Sequence, residues 1–354
     1  MALSKGKTHN GGLRQIVTER EICRVIHYMK RHGNLFGKIV DIENIRAAVH
    51  NARKGKSTRN NVRKFYRNFD ASVDHIRESL IDKTFTTSRY QTKKIYEPKE
   101  RTIYILPFNP DRIVQHALMR VIEPIWDGLL IYDSYACRTG KGIHSGSKRA
   151  SEFVRKYDYC LKCDVSKFYK SVNHDILFDI IQRKIKCKDT LWLIKDIIYS
   201  YPEETNIPIG NYTSQWFGNL YLSELDILVK QQYRIKGYLR YCDDFCLFHN
   251  DKRVLNQLSI EIKSFMWDRL KLTLSKCDVF PVSHGVDFLG YRHFLDKILL
   301  RKSTAKRMRK KIVKLPERLK SGQITDDQFI SSLASISGWI QWANSYNFRK
   351  SLPC

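Results

Sequence analysis

The stretch Arg240-Tyr241-Cys242-Asp243-Asp244-Phe245-Cys246-Leu247-Phe248 constrains this chain more than any other. Two adjacent carboxylates stand between short runs of aromatic and apolar residues. The flanks, Tyr238 to Tyr241 and Phe245 to His249, have strand composition. This predicts a hairpin with the acidic pair in its tight turn, where Asp is tolerated. A hairpin tip forces both carboxylates into one small volume. They repel, and one tends to hold a proton near neutral pH. A divalent cation removes the conflict, and Mg²⁺ prefers such hard oxygen ligands. An ordinary surface turn can also contain Asp-Asp. Here the flanks are of the buried type, and a third carboxylate ends another strand upstream.

That strand is predicted over Tyr157 to Asp164. Alternation puts Tyr159, Leu161 and Cys163 on one face, and Cys160, Lys162 and Asp164 on the other. A turn, Ser166-Lys167-Phe168-Tyr169, follows. A carboxylate at a strand end, beside a sheet that also ends in Asp243-Asp244, is what a two-metal site needs, with ions about 3.5–4 Å apart. Cys160 and Cys163 form a C-x-x-C. They point to opposite faces, and no second ligand pair accompanies them, so zinc is not expected there.

Charge narrows the partner. Lys and Arg number 63 against 36 Asp and Glu, a formal net charge of +27 over 354 residues. Such a surplus implies a polyanion, with nucleic acid ahead of an anionic membrane surface. No apolar run of about 18 residues could span or anchor. Met1 to Arg14 lacks the apolar segment of a signal peptide. Nine cysteines, an odd count, fit reduced thiols and a cytoplasmic setting. The length allows two or three subdomains.

Along the chain, helices are predicted from Arg14 to Arg31, ended by Gly33 and Gly37, and from Ile42 to about Ala52. Arg53, Lys54, Lys56, Arg59, Arg63, Lys64 and Arg67 then occur with no acidic residue among them, as a solvated face or as phosphate contacts. Gln91 to Ile105 is predicted as a hairpin whose tip carries Lys99 and Arg101. A helix over Asp111 to Trp126 has a core-type stripe, with Pro124 able to kink its last turn. Gly140-Lys141-Gly142 is too short to be a specific phosphate loop, and a helix over Ser145–Tyr157 follows it. Residues 173–200 are predicted as two helices. Ile207 to Gln215 is a loop feeding a helix to about Gln232; Gly210 would let backbone approach a ligand, and Ser214 could cap the helix. After the Asp-Asp hairpin come a helix over Lys252–Leu270 and the stretch Phe288-Leu289-Gly290-Tyr291, where Gly290 would permit close approach, for instance of a nucleic-acid strand. Arg301 to Lys320 holds ten Lys or Arg and one acid, Glu317, with a thin stripe of Met308, Ile312, Leu315 and Leu319 and a proline, Pro316. A last helix, Thr325 to Asn344, carries Trp339 and Trp342, more in keeping with a core than with base stacking.

Asp164 with an aromatic five positions on, Tyr241-Cys242-Asp243-Asp244, and Phe288-Leu289-Gly290-Tyr291 occur in an order and spacing that resembles reverse transcriptases, over about residues 91–345. Most of these carry Q-G-x-x-x-S-P before the helix that follows the loop. This chain has Ile209-Gly210-Asn211-Tyr212-Thr213-Ser214-Gln215, the I-G-x-x-x-S-Q form of the reverse transcriptases of diversity-generating retroelements. Tyr96-Glu97-Pro98-Lys99, Asp111 to Leu118, Ser134 to Arg138, and Leu299 to Ser303 are similar to that family too. Cys242 departs from it, standing where Met is more usual.

The resemblance implies an α+β right-hand polymerase: fingers and a palm with an antiparallel sheet over 91–300, a helical thumb over 301–354, and a basic helical N-terminal extension over 1–90. It implies RNA-directed DNA synthesis with two Mg²⁺ ions, on a structured template RNA that also supplies the primer. It also implies copying that is error-prone opposite adenine and feeds cDNA into a variable gene, with a small, basic, oligomeric accessory protein as partner and a bacterial, archaeal or phage-encoded source. Asp164, Asp243 and the Val165 carbonyl would be metal ligands, with Asp244 alongside them. Lys99 and Arg101 would hold the dNTP triphosphate, and Tyr169 would exclude a 2′-hydroxyl. Lys276 would donate a proton to pyrophosphate or touch a phosphate. Ile209, Gly210, Ser214 and Gln215 would line the nucleotide site, and Phe288, Leu289 and Gly290 the primer. The rivals are a group II intron or retron reverse transcriptase, of which the intron type usually continues into further segments, and an idle RNA-binding scaffold. An RNA-dependent RNA polymerase fits poorly with Tyr169.

Overall fold

The computed structural model of the protein describes residues 31–96 and 100–352. The helix expected from Arg14, and Lys99, lie outside the described residues. Nine strands are described: β1 Gln91–Ile95, β2 Arg101–Ile105, β3 Tyr159–Val165, β4 Gly237–Tyr241, β5 Asp244–His249, β6 Leu274–Pro281, β7 Val286–Phe288, β8 Tyr291–His293 and β9 Ile298–Leu300. They form an antiparallel pair, β1–β2, a four-stranded sheet in the order β4-β5-β3-β6, and a three-stranded sheet, β7-β8-β9. Every pairing between these strands is antiparallel.

The central sheet is buried on both faces, which accounts for the near-continuous apolar character of β3, β4 and β5. Leu161, Cys163, Val165, Tyr238, Phe245 and Leu247 face the main core. Cys160, Leu239, Cys246 and Phe248 face a second cluster with Phe153, Val154 and Phe288. The main core is walled by helices Ile113–Asp127, His174–Gln182, Lys188–Tyr199, Tyr212–Tyr221 and Lys252–Leu270. Side chains start two of these helices: Asn173 accepts from the Ile176 amide and Asp251 from the Arg253 amide, satisfying donors the helix itself cannot.

Ile45, Val49, Val73, Ile76 and Leu80, from helices Ile42–Arg53 and Phe69–Ile81, belong to that same main core. A third cluster joins Met308, Leu315, Ile336 and Ile340 of helices Lys302–Lys320 and Asp326–Gln341. Thr325 and Gln328 open the latter with a reciprocal capping box. Trp339 stacks on Tyr291 at 5.1 Å, and the Trp342 indole donates to Ser147 Oγ at 2.9 Å, seating this helical pair against the three-stranded sheet and the helix Ile143–Lys156.

Several expectations are corrected. Gly37 lies inside a short helix, Phe36–Ile39. Pro124 and Pro316 are carried within their helices. The predicted helix to Gln232 is divided into Tyr212–Tyr221, Ser223–Ile227 and a wider π turn, Leu228–Gln232. Among the described residues, no helix is long and apolar enough to cross a membrane.

Candidate active site

The β4–β5 turn is tighter than the sequence implied. Tyr241 pairs with Asp244, so Cys242 and Asp243 form the turn and Asp244 is already strand. Cys242 takes the left-handed conformation, φ 56°, which a non-glycine residue holds only when its surroundings enforce it. Arg240 supplies that enforcement. It is fully buried, and its Nη1 donates to the Cys242 carbonyl at 3.1 Å. Its other donors reach Asp226 Oδ1 at 2.8 Å, Asp226 Oδ2 at 2.5 Å and Asn219 Oδ1 at 3.1 Å. Tyr238 also donates to Asp226, at 2.7 Å. Burial works to lower the Arg240 pKa, and Asp226, with Tyr238 and Cys242, turns the net shift upward. The fork of a guanidinium on a carboxylate is a rigid, oriented support.

On β3, Asp164 pairs across to Asp244 on one side and Lys276 on the other. The register with β6 then slips, from Asp164↔Lys276 to Val165↔Leu274. Ser275 is the extra residue of this bulge, and its hydroxyl donates to Asp164 Oδ2 at 2.9 Å. Bulges commonly re-aim side chains beside active sites. Asp164 and Asp243 thus share one end of the sheet. The Asp243 pKa is raised first by burial, then by the charges of Asp164 and Asp244. Two hard carboxylates that repel across a small gap suit a divalent cation. Asp244 differs. Its carboxylate is bonded to the ammonium of Lys162, so the expected third metal ligand is taken up by a cation of the chain. Among the described residues, no three His, Cys, Asp or Glu side chains gather closely enough to hold an ion together.

Tyr169, in the short Phe168–Ser171 helix, meets the turn from below, its hydroxyl 3.2 Å from Cys242 Sγ. Burial and then Asp243 push the Cys242 thiol up to about 12, so it stays protonated at neutral pH.

The reverse transcriptase (RNA-dependent DNA polymerase) family model matches residues 92–293, more than half of the chain. This chain belongs to the reverse transcriptase family. It is similar to protein YkfC of Escherichia coli, 24% identical over 252 residues, covering 56% of this chain and 66% of that protein. It is also similar to nuclear intron maturase 4, mitochondrial, of Arabidopsis thaliana, 21% identical over 169 residues, covering 45% of this chain and 21% of that protein. The chain therefore spans less than two thirds of the length of these relatives. Among solved structures, apo telomerase of Candida tropicalis aligns with a TM-score of 0.47 at 11% identity, covering 63% of this chain and 50% of that one.

The other candidate residues of this reverse transcriptase fall in two groups. Arg101 is exposed at the start of β2, and Gln215 is exposed on the first turn of its helix. Ile209 is half-buried, its carbonyl accepting from the Tyr104 amide at 2.8 Å. Lys276 is half-exposed, its ammonium 3.7 Å from Asp278. The remainder pack against other parts of the chain. Gly210, φ 127°, approaches the Tyr104 carbonyl, not open space. Ser214 does not cap its helix, which begins after Asn211. It is buried, and its hydroxyl donates to the Pro208 carbonyl at 2.8 Å. Phe288 is buried. Leu289 and Gly290 form the β7–β8 turn with φ 53° and 84°, and a side chain on Gly290 would strike the Trp339 ring at 2.7 Å. Its close approach is to protein, not to a nucleic-acid strand. Lys141, between its glycines, is turned onto the Tyr132 ring and carbonyl.

Residues missed from the sequence do much of the holding. The Ile209 loop is pinned by the Ile207 amide on the Tyr169 carbonyl at 2.9 Å. Asn211 donates to the Tyr90 hydroxyl at 2.8 Å, and Gln115 accepts from the Tyr212 amide at 3.1 Å. Gln115 lay within a stretch already noted for its resemblance; Tyr90, Ser275 and Asp226 carried no local signal. Lys162 did, as the one basic residue on the Asp164 face of β3.

Proposed function

We propose that this chain is the RNA-directed DNA polymerase of a diversity-generating retroelement. It would make adenine-mutagenised cDNA from a template-repeat RNA for transfer into a variable gene. The observation that carries the polymerase is the meeting of Asp164 and Asp243 at one end of the sheet, with Tyr169 against the Cys242-Asp243 turn. The Ile209-Gly210 to Ser214-Gln215 form carries the subtype.

Asp164, Asp243 and the Val165 carbonyl would hold Mg²⁺, two ions in the full complex. Magnesium bound there supplies charge neutralisation for in-line phosphoryl transfer. Lys99 and Arg101 grip the triphosphate, Tyr169 closes the floor under the sugar, and Lys276 stands across from Asp164 to give a proton to the leaving group. Ile209 offers no side-chain hydrogen bond to the nucleotide or its neighbours, so geometry is checked less strictly. The Phe288-Leu289-Gly290 hairpin acts on the primer as a unit, since Phe288 and Gly290 are packed against protein. The partners are template RNA, primer or nascent cDNA, dNTPs and a small basic oligomeric accessory protein, in a cytoplasmic setting.

The name of one relative, an intron maturase, favours a second reading as an intron-type enzyme. Primer extension on an RNA template with Mg²⁺, followed by sequencing of the cDNA, tests both. Errors concentrated opposite template adenines support the retroelement reading. Evenly distributed, rare errors support the intron type. No extension by the wild-type chain, with or without its neighbouring RNA, overturns the polymerase.

A further inference from the structure

Lys162 sits in the middle of β3, the inner strand of the central sheet, and is 5% exposed. A lysine is seldom buried without a partner, because removing an ammonium from water is costly. Here the ammonium is bonded to Asp244 and lies 4.7 Å from the centre of the Phe288 ring, whose face attracts cations. Asp244 is the first residue after the catalytic turn. Phe288 ends β7, immediately before the Leu289-Gly290 turn. One side chain therefore joins the two hairpins that flank the site. It also shares its strand face with Asp164, two residues on, which itself pairs with Asp244 across the sheet.

We propose that Lys162 is a positioning residue for the catalytic turn. It holds the Asp244 carboxylate back, so that Asp164 and Asp243 alone face the metal, and it fixes the turn relative to the Phe288 hairpin. Asp244 is then a structural anchor of the acidic pair and not a ligand. Without the ammonium, Asp244 is a half-buried carboxylate left with only the charge of Arg301, to which it makes no bond. It can turn toward Asp164 and Asp243, adding a third negative charge and loosening the turn. This inference rests on the polymerase reading for its kinetic readout, and on metal binding alone for its second.

The test uses the full-length chain as Lys162→Met, Lys162→Arg, Asp244→Asn, Asp164→Asn, Asp243→Asn and the double variant Lys162→Met/Asp244→Asn. Two quantities are read: kcat and KM for dTTP on a poly(rA)–oligo(dT) primer-template, and the Mg²⁺-induced rise in melting temperature. Lys162→Met is expected to lower kcat at least 100-fold with KM changed less than threefold. Lys162→Arg should keep at least a tenth of kcat. The double variant should regain at least tenfold over Lys162→Met, because a neutral amide no longer needs the ammonium. The Mg²⁺-induced shift should survive Asp244→Asn and vanish in Asp164→Asn and Asp243→Asn.

A kcat for Lys162→Met within threefold of wild type overturns the proposal. So do losses in the two single variants that simply multiply in the double. Should Lys162→Met fail to fold, the metal arm decides: loss of the Mg²⁺ shift in Asp244→Asn, as complete as in Asp164→Asn, would make Asp244 a ligand and leave Lys162 no positioning role. If wild type extends no primer, the polymerase reading fails, and the Mg²⁺ arm still decides the role of Asp244.

Discussion

The Tyr104 carbonyl occupies the space into which any side chain on Gly210 would project, while the Tyr104 amide donates to the Ile209 carbonyl. The β1–β2 hairpin is thus pressed directly against the Ile209 loop. Gly210→Ala meets both a disfavoured φ of 127° and that backbone oxygen. It should cost about 1–3 kcal/mol and raise KM for dNTPs more than it lowers kcat. Denaturant unfolding and steady-state primer extension check the two parts.

Ile209→Gln should raise fidelity opposite template adenine. A side chain able to hydrogen-bond in the proposed nucleotide site adds roughly 1–3 kcal/mol of discrimination, a several-fold or larger drop in errors. Sequencing cDNA made by the variant reads this directly, and an unchanged adenine error spectrum would refute it.

Arg240→Met should destabilise the protein by about 3–5 kcal/mol, because it strands Asp226 as a buried charge. It also releases the Cys242 carbonyl, so the turn relaxes. Arg240→Met/Asp226→Leu should recover most of the stability, since an apolar pair replaces the ion pair, but not the activity. Urea midpoints and primer extension separate these effects.

His293 is fully buried, its Nδ1 2.9 Å from Ser151 Oγ. Burial first, and Lys162 after it, lower its pKa from 6.5 to about 4. The folded state therefore prefers the neutral ring. That contribution is complete above the unfolded value of 6.5 and is lost as pH falls toward 4. Its size is on the order of 3 kcal/mol. Melting temperatures between pH 7 and pH 4 should fall less steeply for His293→Asn than for wild type. Equal slopes would show that His293 is not the titrating group.

Trp342→Phe keeps the ring on His144, stacked at 4.7 Å, and removes the bond to Ser147. The loss should be about 1 kcal/mol, felt where the C-terminal helical pair meets the helix Ile143–Lys156. Limited proteolysis should then cut sooner near Arg301, and products should shorten. Unaltered cleavage and product length would mean that the stacking alone holds this joint.

The acidic hairpin, the strand ending in Asp164 and the Lys252–Leu270 helix were legible because alternation and helical periodicity report local structure. The split faces of β3 were legible for the same reason. What escaped were relations made across the chain. Gly210 and Gly290 announced close approach, but sequence cannot say to what, and both approach protein. Ser214 has the composition of a cap, yet its hydroxyl is used by Pro208. Asp244 counted as a free carboxylate until Lys162, placed on its own face by alternation, proved to reach it. The support of Cys242 by Arg240 and Asp226 joins residues fourteen positions apart in sequence and has no local signature.

The slip at Ser275 leaves β6 out of phase with itself. Lys276, Asp278 and Phe280 look the same way as Asp164, whereas Leu274 turns inward with Val165. Deleting Ser275 would restore an unbroken ladder with Lys276 still opposite Asp164 and Leu274 still opposite Val165, but it would remove the hydroxyl that donates to Asp164. The extra residue therefore serves the carboxylate beside it and not the alternation of the strand, which would close up intact without it.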